Sequence, residues 1–271
     1  MSTRSLALAL VTAATLPAQA SIPISAPGQT YSQSFDGLAS TGASVTWTND
    51  STLAGWSLII QTGAAVSNYY GGDGSSNTGA FYSFGGSGAG DRALGGLASG
   101  GAYFGSPASG AVAGWIGVQL SNNSGHALNG FSLGFDGEQW RNGGNTSAQA
   151  MVMQYGFGTT MATVASWATP GGSFNWSSPV VGATAAAVDG NAVGKVGGLG
   201  GSIATTWNAG DSLWVRCIEN NDVGNDHGLA IDNFSFTAGD ALAPVPLPPA
   251  VALFAAGIGM LAWTARQRRR V

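Results

Sequence analysis

The stretch Phe131-Ser132-Leu133-Gly134-Phe135 alternates large apolar residues with small or polar ones. Because successive side chains of a β-strand point to opposite faces, this pattern places the three apolar residues on one face of a strand. Leu213, Val215 and Cys217 repeat the pattern further along the chain. Such alternation predicts strands with one face against a core.

Short runs of this kind recur between turns rich in Gly, Ser, Asn and Asp, and no segment of residues 21–240 shows sustained helical periodicity. Many short, closely spaced strands favour an all-β sandwich or barrel. Ala183–Val188 is ambiguous between strand and short helix. Ile231 and Phe234 differ in parity, which predicts a bulge or two-sided burial near Asp232. The predicted strands are Thr30–Phe35, Ser44–Thr48, Trp56–Gln61, Ala80–Phe84, Ala93–Leu97, Ala102–Gly105, Gly114–Asn122, Phe131–Gln139, Ala148–Gly156, Ala183–Val188, Ile203–Trp207, Ser212–Glu219 and Leu229–Phe236.

The composition excludes several classes of protein. The chain has 271 residues, of which 44 are glycine, 8% are charged and 44% are hydrophobic. A typical globular chain has about 25% charged residues, so a cytosolic helical enzyme with charged helix faces is not expected. High hydrophobicity also excludes charge-driven disorder. The length fits one domain besides the terminal segments.

The charges are unevenly placed. Residues 21–240 hold four basic residues and all 13 acidic ones, which is a net charge of −9. A body this acidic is not expected to bind nucleic acid, since phosphate contacts require clustered Lys and Arg. Cys217 is the only cysteine, so no intrachain disulfide or Cys-rich metal site is expected.

Residues 1–20 have the pattern of a secretory signal peptide. A basic residue precedes a short apolar run over residues 6–16, and Ala18 and Ala20 form a small-x-small cleavage pattern. This predicts removal by signal peptidase and a mature chain that begins at Ser21. The alternative is an N-terminal anchor helix.

Three segments follow the body in a fixed order. Residues 241–249 form a proline-rich linker, residues 250–265 a predicted transmembrane helix and residues 266–271 a basic tail. The arginines should remain cytoplasmic, which places the body outside the cytoplasm. The alternative is a permanent membrane anchor without processing. The residues that define the pattern are Val245, Pro246, Leu247, Pro248, Arg266, Arg268, Arg269 and Arg270.

This Val-Pro-Leu-Pro motif, apolar helix and arginine cluster resemble the PEP-CTERM sorting signal in its VPLP variant. The resemblance implies recognition by a membrane-embedded exosortase and cleavage near residues 245–249. It further implies export across the inner membrane of a Gram-negative bacterium that makes extracellular polysaccharide. The protein would be transiently anchored in the membrane and then reside at the cell surface or in the extracellular matrix. Pro249 departs from the variant, which more often has Ala there.

The body resembles a recurring extracellular bacterial β-sandwich family with a jelly-roll or concanavalin A-like fold and no assigned activity. The resemblance runs across residues 35–237. It rests on motifs at residues 77–79, 82–85, 91–95, 137–141, 189–191 and 226–232.

The densest polar cluster lies at residues 222–232 and contains Asp226 and His227. Oxygen-rich clusters suit calcium, and a histidine beside an aspartate can act as a general base. The alternative is a tight Asx-type turn with His227 hydrogen-bonded to the backbone.

Topology suggests a second candidate metal site. The first and last strands of a jelly roll are commonly neighbours, so Asp36 and Asp232 could face one structural calcium ion. The alternative is that both residues cap turns. No other cofactor is expected.

Glu138, Gln139, Trp140 and Arg141 combine an acid, an amide, an aromatic ring and a base. One interpretation is a saccharide platform, with the indole stacked on a sugar ring. The alternative is an internal ion pair of Glu138 or Asp91 with Arg141 or Arg92.

The sequence therefore predicts a non-enzymatic structural or carbohydrate-binding module that contacts extracellular polysaccharide. The alternative is a secreted glycan hydrolase that uses Glu138 with Asp226 or His227. Two carboxylates facing a cleft would favour hydrolysis, and an exposed row of aromatic residues would favour binding. If Trp140 and Trp214 are both buried, saccharide binding loses its main support.

Overall fold

The computed structural model describes residues 21–242, in which strands carry nearly all the regular structure. Short 3-10 turns occur at Ala102–Phe104, Met161–Thr163 and Gly172–Phe174. Among the described residues, no helix is long and apolar enough to cross a bilayer. The predicted signal peptide, sorting motif, transmembrane helix and basic tail lie outside those residues.

The strands are, in chain order, β1 (Ile22–Ile24), β2 (Thr30–Gln33), β3 (Gly42–Thr46), β4 (Trp56–Ile60), β5 (Asn68–Gly72), β6 (Ala80–Phe84), β7 (Ala93–Leu97), β8 (Ala111–Asn122), β9 (Leu128–Asn142), β10 (Ala150–Phe157), β11 (Asn175–Ser177), β12 (Ala186–Ala187), β13 (Lys195–Trp207), β14 (Ser212–Asn221) and β15 (Gly228–Ala238).

These strands form two sheets. The smaller sheet has the order β1-β8-β14-β10-β11, and β4 also pairs with β8. The larger sheet has the order β12-β9-β15-β7-β6-β5-β3, with β13 also on β9 and β2 also on β15. Most pairings are antiparallel, as expected for strands joined by short turns. The all-β prediction is confirmed.

One apolar core lies between the sheets, and alternation decides which residues enter it. Phe131, Leu133 and Phe135 of β9 are buried in the same cluster as Leu213 and Val215 of β14. Both predicted apolar faces are therefore confirmed, and the sheets pack face to face in a β-sandwich arrangement.

The first and last predicted strands are neighbours, because β2 pairs with the second half of β15. The pairing of β15 with β9 shifts register between Asp232 and Ser235. Asn233 has a φ of 50°, in the left-handed region. The predicted bulge near Asp232 is confirmed, and it separates the half of β15 that pairs with β7 from the half that pairs with β2.

Other predictions were wrong. Residues 102–104 form a 3-10 turn instead of a strand, and only Ala186–Ala187 of the segment 183–188 is a strand. The strands β1, β5 and β11 and the first half of β13 were not predicted. They are very short or rich in glycine, so they carry little period-two alternation.

Gly95 in β7 allows the close approach of β15. A Cβ atom at this position would overlap the carbonyl oxygen of Leu229 and the Cα and Cβ of Ala230. We expect Gly95→Ala to lower the free energy of unfolding by about 3 kcal/mol, because the paired strands must separate. Gly90 is exposed with nothing near its Cβ position, so Gly90→Ala should change stability by less than about 0.5 kcal/mol. Urea unfolding measures both, and equal stabilities would contradict the prediction.

Candidate functional site

The outward face of the smaller sheet carries an unusual set of side chains. In the pairing of β14 with β8, Arg216 lies opposite Gly117 and Ile218 lies opposite Trp115. Arg216 and Trp115 are therefore diagonal neighbours on the face that points away from the core. On the other side of β14, Arg216 lies opposite Gln154 of β10.

Arg216 is held between aromatic rings. Its guanidinium carbon lies 4.9 Å from the centroid of the Trp115 ring and 3.6 Å from that of Trp167. Its Nε and Nη2 both donate to Oε1 of Gln154, at 3.0 and 2.7 Å. Cation–π contact and two hydrogen bonds fix the guanidinium plane. We call Trp115, Gln154, Trp167 and Arg216 the Arg216 stack.

The loop that contributes Trp167 reaches the sheet because two outward positions are glycine. Met161 packs over Gly117, and Val164 packs over Gly156, each where a Cβ atom would otherwise lie. At Gly156 a Cβ atom would also meet the Ser166 carbonyl oxygen, so a larger residue there would displace the loop backbone that carries Trp167.

A cavity of about 420 Å³ lies beside the stack. Trp115, Arg216 and Met161 line it together with Ile59 of β4 and residues 61–63 of the turn after it. Trp214 also lines it, as a fully buried floor. We call this cavity the Trp115 groove. Trp115 and Trp167 are both half-buried; Trp115 lines the groove, and Trp167 contacts it through Arg216. Ligand sites of this kind combine apolar walls with a few fixed polar groups.

The electrostatics of the groove differ from those of the rest of the body. Segments 51–72, 111–122, 139–188 and 212–218 contain no Asp or Glu. Burial alone lowers the pKa of Arg216 to about 10. The groove thus presents one cation on a face built by segments without carboxylates.

The predicted platform at residues 138–141 does not exist as an exposed surface. Trp140 is only 2% exposed, and its Nε1 donates to Oε2 of Glu138 at 2.9 Å. Segment 189–194 lies over β9, and Gly190 packs directly on the Trp140 ring. The expectation of a stacking surface at Trp140 was therefore wrong. Trp214 is also buried, so support for saccharide binding must come from Trp115 and Trp167.

The predicted ion pair at the same place was also wrong. Arg141 donates to the carbonyl oxygens of Gly74 and Ser75, both at 3.0 Å. Arg92 donates through its guanidinium to the hydroxyl and carbonyl oxygens of Ser83. Within residues 21–242, one ion pair is present, between Lys195 and Asp136 at 2.8 Å.

Glu138 and Asp232 are buried carboxyl groups on adjacent strands. Desolvation raises the pKa of each to about 7. The charges of Asp232 and Asp91 add to the shift of Glu138, and those of Asp91 and Asp36 add to the shift of Asp232. Oε1 of Glu138 and Oδ1 of Asp232 have no hydrogen-bond partner. Asp36 is exposed and accepts the Arg92 backbone N–H at 3.0 Å. In the described part of the chain, no group of three or more His, Cys, Asp or Glu side chains is arranged to hold a metal ion.

The polar cluster at residues 222–232 forms the predicted turn. Oδ1 of Asp226 accepts the Asp222 backbone N–H at 2.6 Å. Nδ1 of His227 accepts the Gly143 backbone N–H at 3.0 Å, and its Nε2 lies 3.2 Å from the Ser147 carbonyl oxygen. Both ring nitrogens are thus engaged by the backbone. The alternative of a backbone-bonded histidine is confirmed, and the proposed general base was wrong.

Asp226 and Glu138 have different surroundings. Desolvation raises the pKa of Asp226 to about 7, and this residue lines a cavity of about 360 Å³ with Arg141 and Asn225. Glu138 is fully buried against Trp140 and does not line that cavity. Glu138 and Asp226 therefore do not face one common cleft, as a pair of carboxyl groups on either side of a glycosidic bond would.

Compared with known protein families, this chain matches none, and no curated protein matches it.

Sequence reasoning did not single out Trp115, Trp167 or Arg216 as site residues. The sequence did hold one signal for Arg216. This residue lies between Val215 and Cys217, which places a charged side chain on the outward face of a predicted strand. The contribution of Trp167 depends on the loop over Gly117 and Gly156, which has no signature in the sequence.

The buried carboxyl groups predict a pH dependence of stability. Between the ordinary pKa of a glutamate, 4.5, and the native pKa of Glu138, about 7, native Glu138 retains a proton that the unfolded chain releases, so the free energy of unfolding falls as pH rises. Glu138→Gln should reduce this fall by about 1–3 kcal/mol. The measurement is urea unfolding at four pH values across this window.

Asp136→Asn is the matched control. Hydrogen bonds and the charge of Lys195 outweigh desolvation and lower the pKa of Asp136, so its contribution is lost only in more acidic solution. Asp136→Asn should therefore lower the free energy of unfolding by the same amount at every pH in the window. An unchanged slope in Glu138→Gln would contradict the assignment.

Proposed function

We propose that this protein is an exported, non-enzymatic β-sandwich module that binds saccharides in the Trp115 groove. The observation that carries the proposal is the pair of half-buried indoles, Trp115 and Trp167, held by Arg216 beside a cavity on an outward sheet face. An indole offers a flat apolar surface for the C–H groups of a pyranose ring. Arg216 and Gln154 offer fixed polar groups for hydroxyl groups at its edge.

Binding is favoured over hydrolysis by the chemistry around the groove. Glycoside hydrolysis requires two carboxyl groups on either side of the scissile bond. The segments that line the groove lack Asp and Glu, and Glu138 is 0% exposed. The proposed function needs no cofactor. A calcium ion between Asp36 and Asp232 stays a prediction from the sequence.

The proposed fold class is a jelly-roll or concanavalin A-like sandwich. The pairing of β2 with the last strand, β15, supports this assignment. So do the two mainly antiparallel sheets around one core.

The proposed location is the cell surface or the extracellular matrix. The support is the signal-peptide pattern at residues 1–20 and the resemblance of residues 244–270 to an exosortase sorting signal. Signal peptidase and an exosortase would be the processing partners, and extracellular polysaccharide would be the ligand at the destination. The acidic body fits this assignment better than one with nucleic acid as partner.

Replacing Trp115 tests the binding function. Trp115→Ala should reduce saccharide affinity about tenfold or more, because it removes a stacking surface and a wall of the cavity. Tyr70 is a half-buried aromatic residue of the larger sheet that packs on Tyr82, so Tyr70→Ala is the matched control and should bind normally. Glycan-array binding of both variants and the parent chain measures this. Equal binding by Trp115→Ala and the parent would refute the groove as the site.

Mass spectrometry of the mature protein from its native host tests the route. We expect an N-terminus at Ser21 and a C-terminus near residues 245–249, because both end segments are read as processing signals. An intact Arg270 in the mature protein would refute exosortase processing.

A further inference from the structure

Arg216 differs from the other cations of the body. Lys195 pairs with Asp136, while Arg92 and Arg141 are buried and donate to backbone carbonyl groups. Arg216 is half-buried, and within residues 21–242 no carboxylate oxygen lies within 4.0 Å of it. It is therefore a desolvated positive charge without a neutralising partner.

The hydrogen bonds of Arg216 leave one edge of its guanidinium group unused. Gln154 Oε1 takes one N–H from Nε and one from Nη2. A guanidinium has five N–H donors, so both donors of Nη1 and the second donor of Nη2 have no hydrogen-bond partner among residues 21–242. One N–H of Nη1 and the second N–H of Nη2 form the end-on fork that matches the two oxygens of a carboxylate.

The free fork is already oriented. Gln154 fixes the guanidinium in its plane, and the Trp167 ring lies 3.6 Å from the guanidinium carbon. An arginine that is held in this way loses little conformational freedom when it binds a ligand. A flexible lysine at this position would offer neither the fork nor the fixed plane.

The local field is compatible with an anion in spite of the acidic body. The segments that line the groove contain no Asp or Glu. Desolvation is the cause that shifts the pKa of Arg216, and it acts downward. Repulsion from more distant carboxylates is screened over about 8 Å at physiological ionic strength. A bound anion would therefore meet Arg216 as its dominant charge.

We infer that the groove selects acidic saccharides, in which a uronic acid carboxylate pairs with the free fork of Arg216 while the sugar ring packs against Trp115. This inference rests on the proposed saccharide binding and adds the chemical class of the ligand. The competing interpretation is that Arg216 only braces Trp115 and Trp167 and that the groove takes neutral sugars.

The test uses trimers of galacturonate, glucuronate and mannuronate together with their methyl esters. Each ester keeps the ring and loses the charge. Isothermal titration calorimetry with the full-length chain in mild detergent should show at least one acid trimer binding about tenfold tighter than its ester at low salt. The advantage should shrink as the salt concentration rises.

Two variants assign the preference to Arg216. Arg216→Gln should abolish the acid-over-ester preference, and Arg216→Lys should retain only part of it, because charge remains without the fork. Lys195→Gln removes the same charge on the other sheet and should keep the preference. Thermal unfolding identifies any variant that fails to fold, in which case Arg216→Lys decides the question.

The outcomes separate the inference from the proposed function. Esters that bind as tightly as acids, or a preference that persists in Arg216→Gln, would overturn the inference while leaving saccharide binding intact. If neither acids nor esters bind the parent chain, and neutral glycans on the array do not bind either, both the inference and the proposed function fail.

Discussion

Period-two alternation in the long central strands β8, β9, β14 and β15 is the constraint on which the structure depends. In each of these strands, one row of side chains enters the core between the sheets and the other row faces outward. With only 8% charged residues in the chain, the outward rows cannot all be covered by solvated charges. Each outward face is instead covered in its own way, and this difference separates a structural face from a candidate binding face.

The larger sheet closes its outward face with loops. Trp140, Tyr82 and Phe84 form a second apolar cluster there, and segment 189–194 packs over Trp140 through Gly190. The smaller sheet is covered only in part. The loop that follows β10 packs on Gly117 through Met161. It leaves the Arg216 stack and the adjacent cavity at the surface. An indole in the first setting stabilises the fold, whereas an indole in the second can meet a ligand.

Burial of acids without cations is the electrostatic consequence of this composition. Glu219 is enclosed in the sandwich, and its Oε1 has no hydrogen-bond partner. Desolvation raises its pKa well above the ordinary value for a glutamate. Glu138 and Asp232 repeat the arrangement on the outward side of β9 and β15. Residues 21–240 hold four basic and 13 acidic residues, and desolvation raises the pKa of Glu138, Asp226 and Asp232 to about 7, which favours their neutral forms.

Most of the fold was predictable from local sequence. The alternation at 131–135 and 213–217 identified the core faces, and the parity change between Ile231 and Phe234 located the bulge near Asp232. The short strands β1 and β11 and the glycine-rich half of β13 were not predictable, because their strand character comes from pairing with β8, β10 and β9.

By itself, the sequence determined the all-β class, the residues that face the core and the acidic character of the body, because these follow from spacing and composition. Only the tertiary structure decided which tryptophans remain accessible. Trp140 and Trp115 both occupy outward positions on strands, and nothing local distinguishes them. Trp140 is covered because Gly190, 50 residues away in sequence, packs on its ring, whereas the loop over the smaller sheet contacts Gly117 and Gly156 and leaves Trp115 half-buried.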